Sequence, residues 1–292
     1  MYKRSYKDIC FDIINVIFML FIVVICLYPF LYVVFASLSD SNLLMGHEGV
    51  LWWPLKPNLN SYAAVLKNAM VYTGYRNTLF VLVVGVAVNM LMTTLCAYVV
   101  SCKDFAMRNV AMGFILVTMF FGGGMVPFYL TVKDLGLENS LWALIIPSAI
   151  NTYNMIIVRT AFASMPEALI ESMKLDGASH RTILARLMIP LSMPTLAVII
   201  LYYAVSHWNA WFHAMIFLRE RAKYPLQLIL REILLQNNTD EMIIDISEGD
   251  RASVSETIQY AIIVVATVPI LCIYPFVQKY FTKGVMIGAV KG

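Results

Sequence analysis

The sequence predicts an all-α integral membrane protein with six transmembrane helices and cytoplasmic N and C termini. Hydrophobic residues make up 60% of the 292-residue chain and charged residues only 13%, against about 25% charged residues in soluble domains. A soluble fold of this composition would expose apolar surface that it could not cover, and a disordered chain has the opposite composition. The net charge of +3 is too small to indicate nucleic-acid binding.

Six long apolar runs have about the 20 residues that a helix needs to cross a bilayer. The predicted spans cover residues 12–36, 76–100, 109–131, 141–163, 196–218 and 259–281. The first run follows three cationic residues, as in a signal peptide, but it exceeds the roughly 7–15 apolar residues of such a peptide. We therefore expect a retained anchor. Neither an internal repeat nor a linker divides the sequence, which predicts a single transmembrane domain over residues 1–292.

The distribution of charge predicts the orientation of these spans. With both termini in the cytoplasm, 12 of the 21 Lys and Arg residues and 6 of the 18 Asp and Glu residues fall inside. The cytoplasmic side then has the excess of positive charge that cytoplasmic loops of membrane proteins carry. The five cysteines lie in spans or on the cytoplasmic side, and their spacing indicates neither a disulfide framework nor a zinc site.

The cytoplasmic segment between the fourth and fifth spans, residues 164–195, is longer than the few residues that a helical bundle needs for a turn. Ser164 and Glu167 have the spacing of a capping box, so we expect a helix to begin there. Gly177 is expected to end this helix, because glycine readily adopts the left-handed conformation of a sharp reversal. A branched side chain at Gly177 is expected to collide where this helix and the next converge.

A second short helix is predicted to begin after Ser179 and to end at Pro190 and Pro194. Both helices carry apolar residues on one side, which predicts an apolar ridge that faces the cytosol. The ridge residues are Met165, Leu169, Met173, Ile183, Leu184, Leu187 and Met188. Such a ridge could dock a partner, rest on the bilayer surface or pack beneath its own spans, and the physical pattern alone leaves these alternatives open.

From Glu167 the chain reads EALIESMKLDGASHRTILARLMIPLSMPTLAVI, which resembles the EAA motif of ABC importer permeases. The positions on that pattern are Glu167, Ala168, Asp176, Gly177, Ala178, Ile189 and Pro190. Leu169 and the pair Met188-Ile189 depart mildly from the commoner residues without changing the spacing to Gly177. The resemblance implies that the matching residues, together with Glu171, couple the chain to an ATPase.

More of the chain is similar to the carbohydrate branch of this family, and in particular to the second permease of maltose-type and multiple-sugar importers. The matching stretches are residues 28–32 and 37–39, Trp208-Asn209, and the ending QKYFTKGVMIGAVKG from Gln278. Residues 121–137 are similar to the subgroup associated with complex or acidic oligosaccharides.

The resemblance implies a MetI-like importer permease fold and a multi-pass subunit in the cytoplasmic membrane of a prokaryote. It implies import of an oligosaccharide by alternating access, with a second homologous permease, two cytosolic ATPases and an extracellular or periplasmic solute-binding protein as partners. The sequence contains neither a GxxxxGK[ST] phosphate loop nor an HExxH motif. We therefore expect the chain not to be an enzyme and to hold no cofactor or metal, with ATP and Mg²⁺ bound by the ATPase subunits.

Polar and aromatic residues at membrane depth predict a substrate path, because rings stack on sugar faces while amides and hydroxyls bind sugar hydroxyls. The candidates are Asn151, Asn154, Tyr203, His207, Trp208, Asn209 and Trp211. Those of the fifth span surround their helix, so not all of them can line one cavity. Hydrogen bonding between helices is the alternative, and it is favoured for Asn89 and Thr93 in the second span.

Two other functions have some support from the residues. An ion-coupled secondary transporter would also have several spans, but it predicts membrane-embedded charges or broken repeat helices, and the sequence indicates neither. A membrane scaffold subunit would explain the cytosolic ridge but not the polar residues within the spans.

Overall fold

The computed structural model describes residues 6–236 and 255–272, and every regular element in these ranges is helical, which confirms the all-α prediction. The α-helices of these ranges are α1 (Tyr6–Leu38), α2 (Ser41–Met45), α3 (Asn60–Lys67), α4 (Ala69–Ser101), α5 (Arg108–Phe120), α6 (Met125–Asp134), α7 (Thr152–Ala163), α8 (Glu167–Leu175), α9 (His180–Leu191), α10 (Met193–Trp208), α11 (Phe212–Phe217), α12 (Leu226–Gln236) and α13 (Ser255–Cys272). Two short 3₁₀ turns, Leu141–Leu144 and Arg221–Lys223, lie between them.

Contacts divide the described residues into two compact units, one of residues 6–69, 232–236 and 255–268 and the other of residues 70–231 and 269–272. In the first unit, α1 is a 33-residue helix. No residue in the most apolar 18-residue stretch of this helix is buried. A helix that is apolar around its whole circumference and still exposed is typical of a membrane span. The single domain expected over residues 1–292 stays a prediction.

The end of α1 is anchored within the first unit. Ala36 packs with Leu44 and Leu51 in a small buried cluster. The hydroxyl of Tyr28 accepts a hydrogen bond from the amide of Leu51 at 3.1 Å. These contacts fold the segment that follows α1 back onto the end of the helix.

Three helices of the described ranges are long and apolar enough to cross a membrane: residues Ile9–Leu38 of α1, all of α4, and α13. Two pairs of shorter helices meet the same criteria but are bent, α5 with α6 by 116° and α9 with α10 by 85°. The described chain thus has three straight spans, or five if each bent pair is counted as one. The predicted number of six is not established, and residues 273–281 of the sixth predicted span lie outside the described ranges.

Three of the predicted spans were expected to be straight helices but are not. The third breaks between α5 and α6 at residues 121–124, which contain three successive glycines of low helix propensity. The fourth has only a 3₁₀ turn before α7. Asn151 caps the N-terminus of α7 by accepting the amide hydrogen of Asn154 at 3.1 Å. The fifth is interrupted after Trp208. Broken helices are therefore present where the sequence indicated none.

One buried cluster of the second unit, formed by described residues, joins α4, α7, α9 and α10. Its members are Ala97, Tyr98, Val100, Met155, Val158, Phe162, Ile183, Leu184, Met188, Leu196, Ile199 and Tyr203. This cluster holds the loop of residues 164–195 directly beneath the helices that carry the membrane-depth polar residues.

Candidate functional site

The loop of residues 164–195 folds as the two short helices α8 and α9, but α8 does not begin with the predicted capping box. Ser164 is the C-cap of α7, and its hydroxyl donates to the carbonyl of Ala161 at 2.8 Å. Pro166 stands at the N-cap of α8 and makes no side-chain cap bond. Proline disfavours helical backbone at the preceding residue, Met165, and α8 begins only at Glu167, so Ser164 lies outside it. The capping-box prediction is wrong for this reason.

The turn between α8 and α9 follows the sequence prediction. Gly177 has a φ of +77°. Its amide donates to the carbonyl of Lys174 at 3.0 Å, and the amide of Ala178 donates to that of Met173 at 2.9 Å. This pair of bonds is the Schellman motif, which satisfies the last carbonyls of a helix through a left-handed residue. Ser179 then caps α9 by accepting the amide hydrogen of Thr182, so both predicted roles are confirmed.

α9 ends at Leu191, one residue after Pro190 and before Pro194, which confirms the predicted end of this helix. The helix passes through a π turn, Leu184–Met188, in which the amide of Ile189 donates to the carbonyl of Leu184. A π turn widens the helix by one residue, which accommodates a proline that has no amide hydrogen and would collide with the preceding turn. Pro194 lies in the first turn of α10, where proline is tolerated.

Most of the apolar ridge is buried rather than facing the cytosol, so the prediction of a cytosolic ridge is wrong. The ridge residues within the core or packed on it are Met165, Met173, Ile183, Leu184, Leu187 and Met188. Leu169 remains exposed, and Leu175 at the end of α8 is 89% exposed. The sequence pattern did not indicate Leu175, because this residue lies outside the apolar repeat. Of the predicted coupling residues, those on the exposed surface are Glu167, Ala168, Glu171, Asp176, Gly177 and Pro190, while Ala178 and Ile189 are half-buried.

Two ion pairs connect α8 to the turn that follows α4. Lys103 pairs with Glu167, and Lys174 donates to Asp104 at 2.5 Å. The hydrogen bond from Lys174 lowers the pKa of the Asp104 carboxyl, and the same bond raises the pKa of Lys174. A cavity of about 350 Å³ lies between this turn, α7, α8 and α9.

At membrane depth, Asn89 of α4 connects two other elements. Its side-chain amide nitrogen donates to the carbonyl of Ser148 at 2.5 Å. Its side-chain oxygen therefore faces Nε2 of His207, 2.6 Å away. Because that oxygen only accepts hydrogen bonds, Nε2 of His207 carries a proton.

Thr93, one turn further along α4, makes a second connection. Its hydroxyl lies 2.7 Å from the hydroxyl of Tyr203 on α10. The Tyr203 hydroxyl also accepts the amide hydrogen of Asn151 at 3.0 Å. The predicted hydrogen bonding between helices is thus confirmed for both Asn89 and Thr93.

A cavity of about 250 Å³ lies beside these hydrogen bonds. Its lining residues are Ser148, Asn151, Tyr153, Asn154, Tyr202, Tyr203, Ser206 and His207. Four of the seven predicted path residues, Asn151, Asn154, Tyr203 and His207, are therefore brought together. Tyr153, whose side chain is 56% exposed, was not among the predicted path residues, although it lies between two of them in the sequence. Seven of the eight lining residues are serine, asparagine or tyrosine, which are uncharged at neutral pH. The eighth is His207.

The other three predicted path residues do not line this cavity. Trp208 is buried against Tyr75, with ring centroids 6.4 Å apart. Asn209 donates from its side chain to the carbonyl of Val205 at 2.9 Å, within the end of its own helix. Trp211 lies under the guanidinium of Arg231, 4.7 Å from the ring centroid. These contacts stabilise the end of α10 and the break that follows it.

Residues 1–287 match the sequence model of a family described as the binding-protein-dependent transport system inner membrane component. The polygalacturonan/rhamnogalacturonan transport system permease protein YtcP of Bacillus subtilis (strain 168) is 39% identical over 288 residues, which cover 98% of this chain and 100% of that protein. Protein LplC of the same strain is 37% identical over 282 residues, or 97% of this chain and 95% of that protein.

A solved structure of a bacterial ABC transporter involved in the import of the acidic polysaccharide alginate is similar in fold. One of its chains superposes with a TM-score of 0.88 at 32% sequence identity, covering 96% of this chain and 100% of the other.

Proposed function

Because this chain belongs to the family of binding-protein-dependent transport system inner membrane components and is a sugar ABC transporter permease, we propose that it moves a complex or acidic oligosaccharide by alternating access. The observation that carries the proposal is that α4 contacts two features. The polar cavity lies beside its residues Asn89 and Thr93, and the exposed helix α8 contacts the turn that follows its end. A substrate site and an ATPase-facing loop are the two parts that an ATP-driven permease requires.

We propose that the permease works with a second homologous permease, two cytosolic ATPases and an external solute-binding protein. The cavity of about 250 Å³ is smaller than the roughly 300–1,000 Å³ of typical ligand pockets. A longer oligosaccharide therefore needs a further wall, which a second permease would supply. ATP and Mg²⁺ are bound by the ATPase subunits in this proposal. The exposed residues of α8, including Glu171 and Leu175, form a surface to which these subunits can dock.

The proposed location is the cytoplasmic membrane of a prokaryote, with both termini and the loop of residues 164–195 on the cytoplasmic side. The excess of Lys and Arg on that side supports this orientation. Labelling of a single cysteine at Ser179 from inside only agrees with it, whereas labelling from outside contradicts it.

The substrate class rests on the relatives and on the chemistry of the cavity. YtcP is named for polygalacturonan and rhamnogalacturonan transport, and the similar solved transporter imports the acidic polysaccharide alginate. The cavity offers this substrate phenol rings, hydroxyls and amides. These groups bind sugar faces and hydroxyls, so we propose that the carboxylates of an acidic sugar are bound outside this cavity.

Tyr153→Ala is expected to change the relative uptake of different oligosaccharides by the intact transporter, by about tenfold for the most affected sugar. The exposed ring of Tyr153 is available to stack on a sugar face, and a tenfold effect corresponds to about 1.4 kcal/mol. Tyr153→Phe keeps the ring and should keep most of the preference. The measurement is competition between labelled neutral and acidic oligosaccharides.

Asn209→Ala serves as the control for this experiment, because Asn209 bonds within its own helix. It should leave the sugar preference unchanged. An unchanged preference in Tyr153→Ala, with normal assembly of the transporter, would remove Tyr153 from the sugar path.

A further inference from the structure

The turn after α4 carries two adjacent charges of opposite sign that meet opposite charges on α8. Lys103 pairs with Glu167 in the first turn of α8, and Asp104 pairs with Lys174 in its last turn. Glu167 and Lys174 are seven residues apart, which places them on one face of the helix, about 10 Å apart along its axis. We call these two ion pairs the clasp.

The clasp contributes little to folding stability, because all four side chains are between 42% and 70% exposed and exposed ion pairs are weak. The two ion pairs have opposite order of charge, because the turn contributes the cation to one pair and the anion to the other. This order determines which end of α8 faces which residue of the turn. If α8 lay with its ends exchanged, Lys103 would face Lys174 and Asp104 would face Glu167. Charge patterns of this kind disfavour wrong arrangements more than they strengthen the right one.

The same end of α4 makes a third contact with the loop. The hydroxyl of Tyr98 lies 2.9 Å from Nδ1 of His180 at the start of α9. Nearer its middle, α4 contacts the cavity walls through Asn89 and Thr93. One continuous helix, residues Ala69–Ser101, therefore connects the polar cavity with the clasp.

We propose that Lys103 and Asp104 are positioning residues of the permease, which hold α8 in the one orientation in which it transmits ATP hydrolysis to the transport path. The proposal rests on the coupling function proposed above for the loop. It assigns a role to the turn after α4, which lies outside the stretch that resembles the EAA motif.

The test is a charge exchange between Asp104 and Lys174, because neither of them is one of the positions that match the EAA pattern. In the assembled transporter, Asp104→Lys and Lys174→Asp should each reduce sugar uptake and substrate-stimulated ATP hydrolysis at least fivefold. The double variant, Asp104→Lys with Lys174→Asp, restores opposite charges in exchanged positions and should recover both activities to within about twofold. Assembly is measured in parallel by copurification of the ATPase.

Asp134→Lys is the matched control, since Asp134 follows Lys133 at the end of α6 as Asp104 follows Lys103. It makes the same change of charge in an exposed Lys-Asp pair away from the clasp, and it should retain uptake. Single clasp variants with normal coupling would overturn the proposal. A double variant no better than the single ones, in coupling or in assembly, would overturn it as well.

A second readout separates this proposal from the proposed function. Spin labels at Met107 and Leu175, both well exposed, report the position of α8 in a protein whose five native cysteines are replaced. The distance distribution should be narrow in this background, broad after Asp104→Lys and narrow again after the exchange. An unbroadened distribution in Asp104→Lys contradicts the clasp even if the transporter is active. A wild-type chain that neither binds an ATPase nor imports sugar contradicts the proposed function instead.

Discussion

Gly177→Val is expected to reduce sugar uptake and substrate-stimulated ATP hydrolysis more than tenfold while the chain still inserts into the membrane. Gly177 has a φ of +77°, and a left-handed residue other than glycine costs about 1–2 kcal/mol, with β-branched residues least tolerated. The valine backbone would leave this conformation and break the two bonds that end α8. The exposed end of α8 would then lose its position relative to α9.

The strain at Gly177 comes from the backbone alone. A Cβ atom at this position would have no atom of a non-adjacent residue within 4 Å, so the structure shows no collision between the first side-chain carbon and the converging helices. Gly177→Asn is the matched control, because asparagine adopts the left-handed conformation more readily than other residues. It should retain most of the uptake. Equal activity of the valine and asparagine variants would show that the turn does not take part in coupling.

Gly85→Ala is expected to abolish most sugar uptake and to lower the thermal stability of the purified transporter. A Cβ atom at Gly85 would lie 2.6 Å from Nε2 and 2.8 Å from Cε1 of His207. The imidazole would have to move, which breaks its 2.6 Å hydrogen bond with Asn89 and changes the cavity wall. Overpacking of this kind costs about 1–3 kcal/mol.

Gly113→Ala is the control for this substitution. Gly113 lies in the helix α5, and a Cβ atom there meets nothing within 4 Å. Alanine favours a helix by about 1 kcal/mol relative to glycine, so this variant should have wild-type uptake and unchanged or higher stability. Normal uptake and stability in Gly85→Ala would contradict the close packing of His207 against α4.

Local chemistry in the sequence was sufficient to predict the elements whose cause is also local. Gly177 and Ser179 were placed correctly because a left-handed turn and an N-cap depend on a few neighbouring residues. The capping box at Ser164 failed because Pro166, between Ser164 and Glu167, acts on the residue before it. The straight spans failed because averaged hydropathy hides a short run of glycines or a capping Asn151 within an apolar segment.

The site was predicted only in part, because its contacts join residues distant in the sequence. Asn89 and His207 are 118 positions apart, and no local pattern predicts that they meet. The fifth predicted span is polar on several faces, so periodicity could not separate His207, which lines the cavity, from Asn209, which bonds to its own helix. An apolar ridge has the same pattern whether a partner or the chain's own core covers it.

The most direct test of the account is sugar uptake into proteoliposomes that contain this chain with its partner permease and ATPases. The binding protein and a labelled acidic oligosaccharide are supplied outside, and ATP is supplied on the side of the loop of residues 164–195. We expect uptake that requires both ATP and the binding protein and that is lost in the Gly177→Val variant. Uptake by this chain alone, driven by an ion gradient and independent of ATP, would contradict the account.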